Sequence, residues 1–318
     1  MTTSPPPFTI RAPTPDDRPA IVDIINTNVP TPYTPDTFAE RMHDLRHTSG
    51  FFQDWVLEEA SGRVRGISAL YGPPLTTTAL DLLLVVAPDA RRRGYGSALL
   101  HHALDRARAQ GAGRLEVSVR DLNPDSRAWA DRRGFSLRFH RFESSLDLPA
   151  FDDAAHADLE GRRTRAGITW QDMDTLGRDE ANWARLYTFF ADRMWESPDY
   201  QDEPRWTVEQ IRHVLRQDPN LRPAWIVLAT RGEDWLGLCV LARHPRGALN
   251  FFTGVAPEAR GMGVARALKV EVIRRARAAG FTEMFTQNLS TNAPMLSVNR
   301  RLGFKPRPGL WILRRTLS

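Results

Sequence analysis

Two stretches of this sequence set arginine and glycine where a strand gives way to a helix. One is Arg91-Arg92-Arg93-Gly94-Tyr95-Gly96, the other Arg260-Gly261-Met262-Gly263-Val264-Ala265. Glycine tolerates the dihedrals of such a turn and leaves no side chain in the way, so several backbone N–H groups can point outward together. The helix that follows adds its own unpaired N-terminal donors. The chemistry this spacing fits is capture of a phosphate or pyrophosphate, with Arg91, Arg92, Arg93 and Arg260 placed where an anion would arrive. Val264, Leu268 and Val272 then recur at helical spacing, so the second turn opens a helix whose apolar stripe packs on a sheet.

The two stretches are copies of one unit. VAPDARRRGYGSALL at Val86 to Leu100 matches VAPEARGMGVARALK at Val255 to Lys269, pairing Arg91 with Arg260 and Gly94 with Gly263. The same offset carries Gly111 onto Gly280, Asn123 onto Asn292 and Gly134-Phe135 onto Gly303-Phe304. Agreement of that length without a gap marks an internal duplication.

Each copy resembles the acyl-CoA-binding core of the GNAT superfamily of N-acetyltransferases, whose motif is Arg/Gln-x-x-Gly-x-Gly/Ala followed by a strand, an Asn, a short helix and Gly-Phe. The resemblance implies two tandem GNAT folds of the α/β class, each a mixed sheet flanked by helices, in the layout of duplicated members of the mycothiol-synthase type. It implies that Val86 and Val255 bond pantetheine through their backbone, while Arg91 to Ser97 (Arg92, Arg93, Gly94, Tyr95, Gly96 and Ser97 included) and Arg260 to Ala265 cradle the pyrophosphate of acetyl-CoA. Asn123 and Asn292 match a further CoA contact, and each could equally cap the helix it precedes. Asp81, in the apolar run LDLLLVV, stands where many members place the carboxylate that removes the amine's proton; the residue paired with it by the repeat offset, Asn250, cannot do so. The tyrosine that members use to protonate the thiolate is replaced by Ala130 and Asn299. The proton donor and the working repeat are therefore open. Asp81 favours the first repeat; the aromatic helix with Trp183, Tyr187 and Phe190, and the acidic loop with Asp199, Asp202 and Glu203, favour the second.

The expected activity is acetyl transfer from acetyl-CoA to a primary amine of a small molecule by direct attack on the thioester. The alternative is a CoA-binding sensor or regulatory protein without turnover. At 318 residues the chain has room for two cores, expected at 1–148 and 167–318 with a linker at 149–166. Met1 to Pro7 lead into a strand at Phe8 to Arg11, and a meander of three strands precedes each glycine loop. The segment Pro149 to Ala166 mixes charge, Ala and Gly without a clear apolar period and reads as linker with one helical turn.

Composition narrows the classes further. A net charge of +5 comes largely from arginines along helices, without interleaved aromatics, which reads as solvated faces and no nucleic-acid partner. No run approaches a membrane span and the N-terminus lacks a secretory pattern, so a cytoplasmic protein is expected. The single cysteine, Cys239, sits in the apolar strand LGLCVL and reads as a core residue rather than a nucleophile. His43 and His47 in HDLRH are four apart, but Asp stands where the zinc motif has Glu, so no metal is expected. Nothing in the sequence fixes an oligomeric state.

Overall fold

The computed structural model describes residues 7–72, 79–177, 179–198 and 205–317. The chain forms two compact units, one of Met1–Arg138 with Trp311–Ser318 and one of Phe139–Leu310. In chain order the elements are β1 (Phe8–Arg11), α1 (Arg18–Asn26), α2 (Pro35–Thr48), β2 (Phe51–Glu59), β3 (Val64–Gly72), β4 (Ala79–Val86), α3 (Tyr95–Ala109), β5 (Arg114–Arg120), α4 (Pro124–Asp131) and β6 (Ser136–Asp147). There follow α5 (Ala157–Arg165), β7 (Thr169–Asp172), α6 (Glu180–Trp195), α7 (Val208–Arg212), β8 (Leu221–Arg231), β9 (Asp234–His244), β10 (Gly247–Val255), α8 (Val264–Ala278), β11 (Glu283–Leu289), α9 (Ala293–Arg301), β12 (Lys305–Pro306) and β13 (Leu310–Thr316).

The first unit has strand order β1-β2-β3-β4-β5-β13, antiparallel from β1 to β4, with β4 and β5 a parallel pair. Leu80 and Leu82 of β4 pack on Leu100 and Leu104 of α3, and Ile21, Val22, Ile24 and Ile25 of α1 form a second apolar cluster with Val56 and Ile67. Helix α2 begins where the sequence gives it every starting device: Thr34 accepts from the Thr37 N–H, Thr37 returns a bond to the Thr34 N–H, and Pro35 has no donor to waste.

The second unit has strand order β6-β11-β10-β9-β8-β7, and β12 also pairs with β6. One face is covered by α5 and α8 through Leu159, Val264, Leu268 and Val272. The other is covered by α6 and α7 through Trp183, Leu186, Tyr187, Phe190 and Ile211. The aromatic stripe of α6 is therefore core.

The units do not follow the repeats. Strand β6, at the end of the first repeat, runs antiparallel to β11 from Asp147 opposite Glu283 to Arg141 opposite Leu289 and belongs to the second unit from Phe139 onward. Strand β13, at the end of the second repeat, lies beside β5 in the first unit. Each repeat lends its closing strand to the other's sheet, whereas the sequence reads Phe139 to Leu148 as closing the first domain. The reason is physical: an alternating strand specifies the kind of edge it completes, and β5 and β11 offer the same kind.

The segment read as a linker is also structured. It contains a 3-10 turn at Ala154–His156 and helix α5, whose Leu159 is buried against Val264. A single buried contact leaves no apolar period to read.

Candidate functional site

The parallel pair in each unit is short. In the first, β4 and β5 pair only from Ala79 opposite Arg114 to Asp81 opposite Glu116. In the second, β10 and β11 pair only from Ala248 opposite Met284 to Asn250 opposite Thr286. Past these points the strands part. From Leu82 to Val86, β4 keeps β3 on one edge and has no strand on the other among the described residues. Unpaired backbone N–H and C=O groups at such an edge need a partner, and an extended ligand carrying amides supplies one.

The glycine loops lie at the open end of each fork and share one backbone. Arg92 and Gly94 have φ 63° and 87°, and Gly261 and Gly263 have φ 77° and 83°. The left-handed turns aim successive N–H groups toward one concavity ahead of α3 and α8. Both loops tie their arginine back in the same way: Arg91 Nε donates to the Val86 carbonyl at 3.2 Å and Arg260 Nε to the Val255 carbonyl at 3.4 Å.

The other predicted contacts have distinct local jobs. Tyr95 is buried, its hydroxyl donating to Glu59 at 2.7 Å, so its side chain anchors the helix start. A Cβ at Gly96 would come 3.3 Å from Trp129, which explains glycine there; Ala265 holds the place in the second loop. Ser97 Oγ accepts from Arg133 Nη2 at 2.7 Å. Val264 turns into the core and Met262 is exposed. Asn292 caps α9 by accepting from the Met295 N–H at 3.3 Å. Asn123 does not cap α4; its amide donates to Asn28 Oδ1, and Arg120 Nε donates to the Asn28 carbonyl at 2.8 Å, so the segment between α1 and α2 is tied to the end of β5.

Asp81 lies at the base of the first fork. Leu80 and Leu82 face α3, so strand alternation turns Asp81 to the opposite face, cross-strand from Tyr71 of β3. Burial pushes the Tyr71 phenol up to about 12, the Asp81 charge adding to the rise and Arg41 of α2 opposing it. Tyr71 escapes a reading guided by motifs, because it lies outside the loops and opposite Asp81 only once the hairpin is paired.

The corresponding place in the second unit is not Asn250. The β3–β4 ladder runs unbroken from Gly66 opposite Val86 to Tyr71 opposite Asp81. The β9–β10 ladder runs from Gly237 opposite Val255 to Val240 opposite Phe252, then jumps to Leu241 opposite Asn250, leaving Phe251 as an extra residue. The bulge shifts everything before it by one. Leu249 takes the place of Asp81, and Asn250 that of Leu82. The parallel strands agree, since Asp81 faces Glu116 and Leu249 faces Phe285, and Glu116 and Phe285 are equivalent in the repeat.

Asn250 instead belongs to a buried polar cluster on the α8 side. It accepts a hydrogen bond from Lys269 Nζ and donates to Cys239 Sγ at 3.0 Å, while Thr253 Oγ1 lies 3.1 Å from the sulfur. Lys269 is 2% exposed and Cys239 fully buried. Burial brings the Lys269 ammonium down to about 8 and pushes the Cys239 thiol up. A buried, protonated thiol is no nucleophile.

Neither position of the absent tyrosine supplies a proton donor. Ala130 is buried, and buried Asn299 gives its amide to Asn288 Oδ1 at 2.7 Å. The His43 and His47 rings lie 3.9 Å apart, tilted by 35°, His47 Nδ1 lies 2.8 Å from the His43 carbonyl, and among the described residues no three His, Cys, Asp or Glu side chains gather as metal ligands. Asp199, Asp202 and Glu203 lie outside the described residues. Among those described, no helix is long and apolar enough to cross a membrane.

One cation was not foreseen. Arg133 reaches from the end of α4 to Ser97 and stacks 4.2 Å from the Trp129 ring. Its counterpart in the second repeat is Leu302, a difference inside a matched stretch that the repeat alignment contains.

Comparison with known proteins agrees with the forks and loops. The model of the Acetyltransferase (GNAT) family matches residues 18–135 and again 182–304. A mycothiol acetyltransferase of Parafrankia sp. is 27% identical over 270 residues, covering 79% of each chain. One from Thermomonospora curvata is 30% identical over 224 residues, covering 70% of this chain and 69% of its own. Among solved structures, a GCN5-related N-acetyltransferase from Sphaerobacter thermophilus superposes with TM-score 0.70 at 18% identity, covering 99% of this chain and 98% of its own. A tandem GNAT protein from the clavulanic acid biosynthesis pathway superposes with TM-score 0.60 at 19% identity, covering 98% and 99%. Two family matches in one chain, each containing the same strand fork and glycine loop, make this protein a tandem member of the Acetyltransferase (GNAT) family and an acyl-CoA-dependent N-acetyltransferase.

Proposed function

We propose that the first unit is the working site and that it moves an acetyl group from acetyl-CoA to a primary amine of a small molecule. The observation that carries this reading is the β4–β5 fork, with a cationic phosphate loop at its open end and Asp81 at its base. The strand from Asp81 to Val86 is roughly 16 Å long at the usual strand rise. That is about the reach of an extended pantetheine arm, so pyrophosphate on Arg91 to Ser97 and pantetheine amides along the open edge bring the thioester to Asp81. Asn123 closes the same side.

The chemistry then needs no covalent enzyme intermediate. The amine nitrogen attacks the acetyl carbonyl, Asp81 takes the proton the nitrogen loses, directly or through a water, and the C–S bond breaks as the amide forms. The departing thiolate takes a proton, for which Tyr71 is the hydroxyl placed across the strand from Asp81. Attack on a thioester requires no metal, and none is assigned.

In the second unit Leu249 stands at the base position, and the face beside it is filled by Phe190, Phe251 and Phe252 at ring separations of 4.8 to 6.5 Å. That packing supports a scaffold role. The relatives named mycothiol acetyltransferase support a small-molecule acceptor, and the amine precursor of mycothiol is the first to try. Acyl-CoA donors are intracellular metabolites, which supports a cytoplasmic site of action; nucleic acid and membrane play no part in this reading.

The test is thiol release from acetyl-CoA with a panel of small amines, for the intact chain and for Asp81→Asn. Amine-dependent release that Asp81→Asn abolishes supports the reading. Undiminished release in that variant removes Asp81, and CoA binding without release for any amine favours a sensor.

A further inference from the structure

The duplication allows one phosphate loop to serve as a control for the other. Their backbones match, yet their charges are treated differently. In the first unit Arg91 and Arg92 make no ion pair among the described residues, the one carboxylate near Arg93 is Glu59 at 3.7 Å, and Arg133 faces a serine hydroxyl. In the second unit both arginines of the loop region are engaged by carboxylates of the same unit. Arg260 pairs with Glu196, just past the end of α6, and Arg266 with Asp158 of α5 at 3.2 Å.

Two further contacts hold those carboxylates in place. Arg193 Nη2 donates to Glu196 at 2.7 Å, and the stem of Arg193 lies so close over β10 that a Cβ on Gly254 would be 2.6 Å from it. Helix α5 leans on the loop itself, with Leu159 3.9 Å from where a Cβ of Gly263 would stand. On Arg91, the counterpart of Arg260, the first loop has no such carboxylate: the residue that caps the end of α1, as Glu196 caps that of α6, is Thr27. A diphosphate entering the second loop would meet arginines already neutralised and two carboxylates beside them.

We infer that Glu196 and Asp158 keep the second phosphate loop closed to coenzyme A, so that the protein loads one coenzyme A, on the first unit. This rests on the reading of the first unit as the acetyl-CoA site. The second loop is then a site occupied by its own chain, and the two carboxylates determine the stoichiometry.

Calorimetric titration of the full chain with coenzyme A tests this without an acceptor. One site is expected, lost in Gly94→Trp and kept in Gly263→Trp. In Glu196→Gln/Asp158→Asn a second site should appear, tightened at least tenfold over the intact chain, since two negative charges beside a diphosphate are removed. Hydrogen exchange gives an independent readout: coenzyme A should protect residues 91–97 in the intact chain, and residues 260–266 as well in the double variant. Two equal sites in the intact chain, a single site lost in Gly263→Trp, or unchanged stoichiometry and exchange in the double variant would each overturn the inference. No binding by any form would instead sink the acetyl-CoA reading on which it rests.

Discussion

Lys269→Leu is the substitution whose outcome the structure constrains most closely. Lys269 is 2% exposed, bonded to an amide and close to a protonated thiol, with no carboxylate paired to it among the described residues. The equivalent residue of the first unit is Leu100, packed in an apolar cluster with Leu82, whose place Asn250 takes. A drop from 10.5 to about 8 corresponds to roughly 3 kcal/mol against the charged form near neutral pH. Removing the ammonium recovers that, while leaving Asn250 Oδ1 with only the longer bond from Thr253 Oγ1, at 3.3 Å, costs about 1–3 kcal/mol. The single variant should thus gain little or about 1–2 kcal/mol, and Lys269→Leu/Asn250→Leu should gain more.

The pH dependence is the sharper readout. The folded value lies below the unfolded one, so the unfolded chain binds the extra proton between about 8 and 10.5 and stability rises with pH through that window. Between about pH 7 and about pH 8.5 the rise from this group is on the order of 1 kcal/mol. Cys239 acts in the opposite sense, but only as the unfolded thiol ionises near its ordinary value of 9.0, so this window largely avoids it. Urea unfolding followed by tryptophan fluorescence at the two pH values should show the rise in the intact chain and its loss in Lys269→Leu. Equal slopes in the two proteins would mean that Lys269 is neither buried nor shifted as described.

Other substitutions separate binding, chemistry and folding. Asp81→Asn should lower kcat at least about 100-fold with coenzyme A affinity unchanged, read by thiol release and calorimetry; a comparable loss of affinity would make Asp81 a binding residue. Arg92→Gly relieves a left-handed backbone held by a non-glycine residue, so thermal stability should rise by about 1 kcal/mol while coenzyme A affinity falls severalfold. Loss or gain of both together would show that the loop's cation and its conformation are not separable. Gly254→Ala places a methyl 2.6 Å from Arg193 and 2.8 Å from Phe252, and should cost about 1–3 kcal/mol in urea unfolding.

What the sequence disclosed, and what it withheld, follows from the range of the forces involved. The glycine loops were legible because a left-handed turn before a helix has few acceptable residues, and because the chain states them twice. The helices with continuous stripes, such as α8, were legible for the same local reason. The bulge at Phe251 was not: one extra residue in a strand leaves no mark on composition, yet it exchanges the faces of Leu249 and Asn250 and so moves the site by one position. Lys269 lies in the core, and a charged side chain next to the Leu268 stripe gives no sign of that burial in sequence. Glu196 and Asp158 are ordinary surface carboxylates until folding brings them to Arg260 and Arg266.

The exchanged closing strands have a consequence for synthesis. A ribosome makes a chain from one end, and a first domain ordinarily folds while the second is still being made. Here the edge of β5 is completed by Leu310–Thr316, a strand that follows the whole of the second repeat's core. The first unit, which holds the arginines and Asp81, must wait with an unsatisfied strand edge until the second repeat has been translated. Strand β6, made early, waits in turn for β11. Neither half is complete on its own schedule, so a partly made chain cannot yet present a finished site.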